Sequence, residues 1–453
     1  MSDEDTIVAI STKLGVGAIS IVRVSGKDAI SIVNNIFKGK DLTKVASHTI
    51  HYGFIAKGKE NLDEVLVTVM RAPKTFTRED IVEINCHGGI ATTLSILDLL
   101  LEKGARQAEA GEFTKRAFLN GRIDLTQAES VMDLINSKTE TTRKLALSSL
   151  EGSLKQYIDS FRNKLKHVLA NIEVNIDYPE YYDIEEVTYE QLQQVVIELE
   201  HDLQNLITRS EERQIVKNGI KTIIIGRPNV GKSSILNKFL QEEKAIVTDI
   251  EGTTRDIVEG SIIFDGIELS LIDTAGIRDT ENVVEKIGVE KSLALIDKAN
   301  LIIVVLNASE ELNENDKFIL DKVKEKNPII VLNKNDLPMK LTKDDLSFKH
   351  IVSTNTNTIS GIDALKQEIK NMFKLSEIVE DNDTFLANER QLTLARKALQ
   401  SLQDAKDSLT NQAPVDIIEI DLKEVFEILG NITGESYSDE LLDELFASFC
   451  VGK

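Results

Sequence analysis

The stretch that decides the fold reads TIIIGRPNVGKS and occupies residues 222–233. It begins as an apolar run typical of a buried strand, and a glycine-containing segment from Gly226 follows at once. A strand that leads through such a segment into a helix is the setting in which this pattern binds phosphates. Backbone N–H groups surround the phosphates, Lys232 reaches the β- and γ-phosphates, and Ser233 ligates Mg²⁺. The stretch therefore predicts a P-loop nucleotide-binding domain.

Three further motifs follow in the order that a GTPase requires. Asp273-Thr-Ala-Gly276 ends a predicted strand, where the aspartate can hold Mg²⁺ through water. Asn333-Lys-Asn-Asp336 ends another strand, and its last carboxylate can accept hydrogen bonds from N1 and N2 of guanine, which adenine does not offer. Thr253 and Thr254 lie in a loop suited to a switch that closes on Mg²⁺ and the γ-phosphate. The predicted base is guanine.

Two positions depart from the usual GTPase pattern. Ser353-Thr-Asn355 stands where Ser-Ala-Lys is usual, so the role of that loop behind the base stays open. Ile277 stands where Ras-like enzymes carry the glutamine that orients the attacking water, and an isoleucine side chain has no polar atom with which to do so. A domain that binds GTP without hydrolysing it is therefore the alternative to an active GTPase.

Composition limits the remaining possibilities. The 453 residues carry a formal net charge of -22, which argues against broad, non-specific binding to nucleic-acid phosphates. The first residues lack a basic start and an apolar run, and no stretch approaches the roughly 18 apolar residues of a membrane helix. The two cysteines, Cys86 and Cys450, lie far apart and do not suggest a disulfide framework. We expect a cytoplasmic protein with no membrane partner.

The pattern of apolar residues changes twice along the chain and predicts a multidomain fold. Residues 1–120 mix alternating strands with short helices and form an α+β domain. Residues 121–216 and 377–453 show helical spacing and form one discontinuous α-helical bundle domain. Residues 217–376 alternate strands and helices, which is typical of an α/β domain with a parallel sheet. The α/β GTPase domain is thus inserted into the helical domain.

These residues resemble the MnmE (TrmE) family of tRNA wobble-uridine modification GTPases along the whole chain. Generic GTPases lack the part of the resemblance that lies outside the nucleotide motifs. The resemblance is carried by Gly226–Ser233, Thr248–Asp256, Asp273–Gly276, Asn333–Asp336, Cys86–Gly89, Gly111–Asn120, Asp124–Glu129 and Phe449–Lys453. It implies an N-terminal domain that binds folate and dimerises, a helical domain and the inserted Ras-like GTPase domain.

The resemblance also implies a nucleotide site with two kinds of metal ion. K⁺ beside the nucleotide takes the place of an arginine finger, at Asn229, Thr248, Ile250 and Thr253, while Ser233 and Thr254 hold Mg²⁺. The family's water-orienting acid falls on Glu285, for which an exposed helix residue is the plainer interpretation. The complete set of residues predicted to bind GTP is Asn229, Val230, Gly231, Lys232, Ser233, Ser234, Thr248, Asp249, Ile250, Glu251, Gly252, Thr253, Thr254, Asp273, Thr274, Ala275, Gly276, Asn333, Lys334, Asp336 and Ser353.

The family's folate site carries over onto Arg23, Glu83, Arg122 and Lys453. A basic side chain can pair with the glutamate tail of folate, and a carboxylate can accept two bonds from the amino-pyrimidine edge of the pterin. Taken singly, Arg23 and Glu83 are more simply a strand-face charge and a strand-end acid. Cys450 lies near the folate in the family and is a candidate catalytic residue, although a cysteine after two phenylalanines could instead close the helical bundle.

The resemblance implies a K⁺-dependent GTPase, with Lys232 and Glu285 as its catalytic side chains, in a complex that modifies tRNA. The implied cofactors are GTP, Mg²⁺, K⁺ and 5-formyl- or methylene-tetrahydrofolate. The implied partners are a second copy of the chain, an FAD-dependent MnmG (GidA)-type subunit and tRNA. Two alternatives stay open: a ribosome-assembly GTPase switch, and a folate-binding scaffold in which the GTPase only regulates assembly.

Overall fold

The computed structural model describes residues 5–177, 189–242, 244–246, 258–272, 295–358, 361–375 and 384–453. The chain divides into two compact units. The first unit comprises Met1–Met132, Leu150–Gln193 and Gln400–Lys453, and the second comprises Asp133–Ser149 and Gln194–Leu399. The predicted boundaries of the three domains near residues 120, 216 and 376 stay a prediction. Among the residues described, no helix is long and apolar enough to cross a membrane.

The first unit is built on a seven-stranded sheet in the order β3-β4-β5-β6-β2-β1-β7. Its strands are β1 (Ile7–Ile10), β2 (Ile19–Ser25), β3 (Phe37–Lys38), β4 (Thr49–Lys57), β5 (Glu60–Met70), β6 (Ile81–His87) and β7 (Arg106–Gln107). All neighbours are antiparallel except β1 and β7. Side chains alternate between the two faces of each strand, so one face of this sheet can be apolar and the other polar.

The apolar face of this sheet is covered by two helices, α1 (Ala29–Asn34) and α2 (Ile90–Glu102). Val22 and Val24 of β2 and Ile84 of β6 are buried there against both helices. Arg23 and Glu83 lie between those valines and isoleucines in sequence, and the strand register pairs them directly. The alternation therefore places both charged side chains on the face opposite to the core.

Helices complete the first unit and begin the second. They are α3 (Glu112–Leu119), α4 (Leu125–Asn136), α5 (Glu140–Leu150), α6 (Ser153–Asp177) and α7 (Tyr189–Lys217). A separate apolar cluster in the first unit joins Phe118 and Leu125 to three residues near the chain end, Leu442, Phe446 and Phe449. This cluster holds the C-terminal residues beside the N-terminal sheet.

The second unit contains a seven-stranded sheet in the order β14-β13-β12-β8-β11-β10-β9. Its strands are β8 (Ile220–Ile225), β9 (Lys244–Ile246), β10 (Val258–Phe264), β11 (Ile267–Ile272), β12 (Leu301–Asn307), β13 (Ile329–Asn333) and β14 (His350–Ser353). β12 and β13 are buried throughout, and the sheet is parallel except where β10 pairs with β9 and β11. Residues 222–225, 269–272, 301–306 and 329–332 all lie in strands of this sheet, in agreement with the alternation of strands and helices predicted for residues 217–376.

Six further helices complete the described part of the chain. They are α8 (Lys232–Glu242), α9 (Glu314–Val323), α10 (Asp363–Met372), α11 (Glu389–Thr410), α12 (Val415–Thr433) and α13 (Asp439–Ala447). Helix α8 begins within the P-loop stretch. Two of the apolar clusters within the second unit include strand residues of its sheet. The predicted class, a multidomain chain with an α+β part, helices and an α/β P-loop part, is confirmed.

A buried network of charges ties the first unit together. The Arg116 guanidinium, whose side chain is only 9% exposed, donates to Asp5, Glu79 and Glu112 at 2.7 to 3.0 Å. Arg106 bonds both Asp5 and Glu112. The bond from Arg106 holds the pKa of Asp5 below its ordinary value of 3.8, against the effect of burial. Burial alone would raise the pKa of Glu112, but bonds from Arg106, Arg116 and a backbone N–H outweigh it, so the pKa lies below 4.5.

The network should make the first unit acid-sensitive. Because the folded-state pKa values of Asp5 and Glu112 are lowered, their stabilisation is present above about pH 4.5 and is lost as the pH falls below these values. We expect Arg116→Met to lower the free energy of unfolding by about 3 kcal/mol at pH 7, since it leaves Glu79 without its ion pair and the other two carboxylates with Arg106 alone, and by less at pH 3.5. Urea unfolding monitored by circular dichroism measures both values.

The matched control is Lys57→Met, which breaks the exposed ion pair between Lys57 and Glu102 and should change little at either pH. An equal loss for Arg116→Met at both pH values would contradict the account, because the penalty would then not depend on charged carboxylates.

Candidate functional site

The P-loop leaves β8 at Ile225 and enters α8 at Lys232 through two glycines with positive φ. Gly226 has φ +153°, and a Cβ there would lie 2.4 Å from the Val305 carbonyl oxygen of β12. Gly231 has φ +104°, and a Cβ there would lie 2.0 Å from the Asn333 side-chain nitrogen. Glycine is needed at both positions because the loop passes this close to β12 and to the end of β13.

Lys232 is held inside the loop that it serves. Its Nζ donates to the carbonyl oxygens of Gly226 at 2.8 Å and Arg227 at 2.9 Å. The ammonium group is therefore at the start of α8, where backbone N–H groups and the helix dipole also favour an anion. Val230 is buried, whereas Asn229 is exposed and has φ +61°. This arrangement can bind a polyphosphate chain.

The motif predicted to recognise guanine is joined to the P-loop by hydrogen bonds. Asn333 at the end of β13 is buried, and its Nδ2 donates to the Val230 carbonyl oxygen at 2.8 Å. The Nζ of Lys334 donates to the Asn229 carbonyl oxygen, also at 2.8 Å. Asp336 is exposed beyond them, so its carboxylate is open to a base. The structure thus brings the predicted phosphate-binding and base-binding residues to one edge of the sheet.

Sequence reasoning missed an anchor on the P-loop, because the second position of the motif accepts any residue. The Arg227 guanidinium donates from Nη2 to Glu310, and its Nε lies 3.2 Å from Oδ2 of Asp316 on α9. Burial raises the pKa of Asp316, while a backbone hydrogen bond from Asn313 and the charge of Arg227 act in the opposite direction.

Several predicted nucleotide-site residues lie outside the described residues. They are Thr248, Asp249, Ile250, Glu251, Gly252, Thr253, Thr254, Asp273, Thr274, Ala275, Gly276 and Glu285. Their assignments to GTP, Mg²⁺, K⁺ and water therefore stay predictions. Ser233 and Ser234 lie in the first turn of α8, and Ser353 ends β14 at the same edge of the sheet as Asn333.

Three of the four predicted folate residues line one cavity in the first unit. The cavity has a volume of about 160 Å³ and is lined by Arg23, Met70, Phe76, Ile81, Glu83, Val131 and Lys453. Arg122, the fourth, stacks over the Phe76 ring with its guanidinium carbon 4.8 Å from the ring centroid. The cavity is smaller than the roughly 300 Å³ typical of a site that encloses a whole cofactor.

Arg23 and Glu83 form an ion pair at the wall of this cavity. Arg23 Nε donates to Glu83 Oε1 at 2.8 Å, and both side chains are about one-fifth exposed. Arg23 Nη1 also donates to the Gly452 carbonyl oxygen at 3.2 Å. The sequence alone predicted Arg23 and Glu83 as separate charges. In the structure they contact each other, and Arg23 also contacts the C-terminal segment. Phe76, Met70 and Val131 were missed because no spacing rule connects them.

The C-terminal segment is fixed against the first sheet. Gly452 has φ +92°, and a Cβ there would lie 2.5 Å from the Ile10 carbonyl oxygen. Val451 forms a bridge with Ala110, and the Cys450 carbonyl accepts from the Gly111 N–H at 3.3 Å. Cys450 is exposed, so the alternative in which it closes the helical bundle is wrong. The buried cysteine is Cys86, and burial raises the pKa of its thiol.

Comparisons with known proteins match nearly the whole chain. Residues 125–450 match the family model described as MnmE helical domain, and residues 6–122 match GTP-binding protein TrmE N-terminus. The protein named tRNA modification GTPase MnmE from Streptococcus thermophilus (strain CNRZ 1066) is 53% identical over 450 residues, 99% of this chain and 98% of that protein. The proteins of the same name from Ligilactobacillus salivarius (strain UCC118) and Lactococcus lactis subsp. lactis (strain IL1403) are each 51% identical, over 99% of this chain and 98% of theirs.

Proposed function

This chain belongs to the MnmE (TrmE) family of tRNA modification GTPases, and from that membership we propose what its nucleotide site and its cavity do. The chain is a GTPase that takes part in tRNA modification and uses GTP with Mg²⁺. We propose that it is K⁺-dependent and forms part of a complex that modifies the wobble uridine of tRNA, producing the 5-carboxymethylaminomethyl or aminomethyl type. A tetrahydrofolate derivative, 5-formyl- or methylene-tetrahydrofolate, would supply the one-carbon unit. The observation that carries the proposal is the joining of the P-loop to the guanine motif through Asn333.

Within the GTPase site, the chain's own groups would position the phosphates and stabilise developing charge. When GTP binds, the ammonium group of Lys232 would leave the carbonyl oxygens of Gly226 and Arg227 and bond β- and γ-phosphate oxygens instead. Ser233 would ligate Mg²⁺ from the first turn of α8. Such positioning and charge stabilisation account for most of the catalysis of phosphoryl transfer, since the protein forms no covalent bond with the phosphate.

K⁺ would neutralise negative charge between the β- and γ-phosphates. Asn229 is the member of the proposed K⁺ set that the structure describes, and it is an exposed residue of the P-loop. Its backbone is held by the bond from Lys334 to its carbonyl oxygen, which fixes the position from which its side chain could contact an ion. Thr248, Ile250 and Thr253 would complete the site, and Glu285 would orient the attacking water.

The folate derivative would bind at the cavity between the first sheet and the chain end. Arg23 and Lys453 supply positive charge for a carboxylate, and Glu83 has a second oxygen beyond the one bonded to Arg23. Arg122 would act through Phe76, whose ring forms part of the cavity wall. Cys450 would act near the one-carbon unit, and its exposed position is compatible with this role.

The proposed partners are a second copy of the chain, an FAD-dependent MnmG (GidA)-type subunit and tRNA, all in the cytoplasm. With a net charge of -22, the chain would depend on the MnmG-type subunit for much of the surface that binds tRNA. The order of elements in the chain argues against the alternative function of a ribosome-assembly switch. Such switches usually add a compact RNA-binding module after the GTPase domain, whereas α11, α12 and α13 follow it here.

We expect GTP hydrolysis by the purified chain to be much faster in KCl than in NaCl of equal ionic strength. Asn229→Ala should abolish that difference, because it removes a proposed K⁺ ligand while leaving Lys232 in place. The matched control is Asn327→Ala, at another exposed asparagine with positive φ, 49°, in the same unit. Equally slow turnover of the wild-type chain in both salts would rule out the K⁺ mechanism and favour activation by a partner.

The folate assignment is tested separately, by calorimetric titration of 5-formyl-tetrahydrofolate. Arg23→Gln should weaken binding by at least about tenfold, since a charge-assisted hydrogen bond contributes about 1.5–3 kcal/mol, and should leave GTP hydrolysis intact. Arg143→Gln, which removes an exposed arginine paired with Glu140, serves as the control. Unchanged affinity in Arg23→Gln would move the ligand away from this cavity.

A further inference from the structure

The loop after β14 lacks the lysine that GTPases usually carry there. Two of its side chains instead contact the guanine motif, Asn333–Asp336. Thr354 is buried, and its hydroxyl donates to Oδ1 of Asn333 at 3.1 Å. Three residues later, Nδ2 of Asn357 donates to Oδ2 of Asp336, also at 3.1 Å. The first and the last residue of Asn333–Asp336 are therefore each held by one side chain of this loop.

The loop that presents Asn357 is closed by its own hydrogen bonds. The backbone N–H of Asn357 donates to Oδ1 of Asn355 at 2.9 Å, which is the geometry of an Asx-turn. The Asn355 N–H donates to the Gly361 carbonyl oxygen at 3.0 Å, and the Gly361 N–H donates to the Thr358 carbonyl oxygen at 3.2 Å. Asn357 is thus placed by a defined turn, although its side chain is at the surface.

We propose that Asn357 is a positioning residue for guanine recognition, which holds the carboxylate of Asp336 in the plane that accepts both N1–H and N2–H of the base. A carboxylate has about four lone-pair sites on its two oxygens, so one bond from Asn357 leaves enough acceptors for guanine. The amide of Asn357 is neutral, and Asp336 therefore keeps its full negative charge toward the base. A side chain fixed before the ligand arrives also loses less conformational entropy on binding.

Thr354 positions the other end of the guanine motif, the end that contacts the P-loop. Its hydroxyl fixes the amide of Asn333, whose Nδ2 bonds the Val230 carbonyl oxygen of the P-loop. The alanine usual at this position offers no such bond, so Thr354 and Asn357 together hold the two ends of the guanine motif in this chain. This inference concerns base recognition by an established GTPase and does not depend on K⁺ or folate.

The test compares GDP with inosine diphosphate, which lacks the 2-amino group and so loses one of the two bonds to Asp336. Calorimetric titration of the full chain should show about tenfold weaker GDP binding in Asn357→Ala, since the Asp336 carboxylate is then no longer oriented before the ligand arrives. Inosine diphosphate should be affected less, so that the ratio of the two affinities falls toward one. Asn357→Asp, which keeps the shape but places a like charge beside Asp336, should weaken GDP binding further.

The control is Asn371→Ala, which breaks a surface amide contact between Gln367 and Asn371 in α10 and should leave both affinities unchanged. A purely structural role for Asn357 would weaken GDP and inosine diphosphate equally and keep their ratio constant. That result, or unchanged binding of GDP in Asn357→Ala, would overturn the proposal.

Discussion

The side-chain amide of Asn333 is the interaction on which the nucleotide site depends. It is almost fully buried, donates to the Val230 carbonyl oxygen of the P-loop and accepts from the Thr354 hydroxyl. Both bonds are made inside the protein, so losing either would leave a buried polar group without a partner. Through this amide the P-loop, the guanine motif and the loop after β14 are held in one arrangement before any ligand binds.

The sheet of the second unit explains why one amide can reach all three segments. β8, β12, β13 and β14 are parallel neighbours, so their carboxyl ends lie at one edge, where ligands of α/β proteins bind. The register pairs Asn307 with Asn333 and Leu332 with Ser353. Gly231 can pass beside Asn333 only because it lacks a Cβ. The parallel apolar strands, the glycine at position 231 and the buried amide of Asn333 are therefore all needed to bring the three segments together at this edge.

The features that the sequence predicted well are those encoded within a short stretch. The apolar runs predicted strands best in β12 and β13, which are buried at every position, because parallel strands covered on both faces are apolar along their length. The glycine pattern predicted the P-loop, and the order of motifs predicted the base. In the first unit, the alternation of apolar and polar residues predicted the strands β2 and β5.

The features that the sequence did not predict are contacts between distant residues. Arg116 with Asp5, Arg227 with Asp316, and Asn357 with Asp336 join segments that no periodicity connects. The ion pair between Arg23 and Glu83 needs the register of β2 on β6, which alternation alone leaves undefined. Cys450 shows the same limit: two nearby phenylalanines left a buried thiol open as the alternative, but the residue is exposed after α13, in a segment whose backbone is held by Gly111 and Ala110.

The most direct test of this account is the affinity of GDP for Asn333→Ala, measured by calorimetric titration beside the urea stability of the same variant. Removing the amide breaks two buried hydrogen bonds, each worth about 1–3 kcal/mol when a partner is lost. We predict a chain that stays folded but binds GDP at least about tenfold more weakly, because the P-loop and the base motif are no longer held together. An affinity within twofold of the wild-type value would contradict the claim that the site is assembled through Asn333.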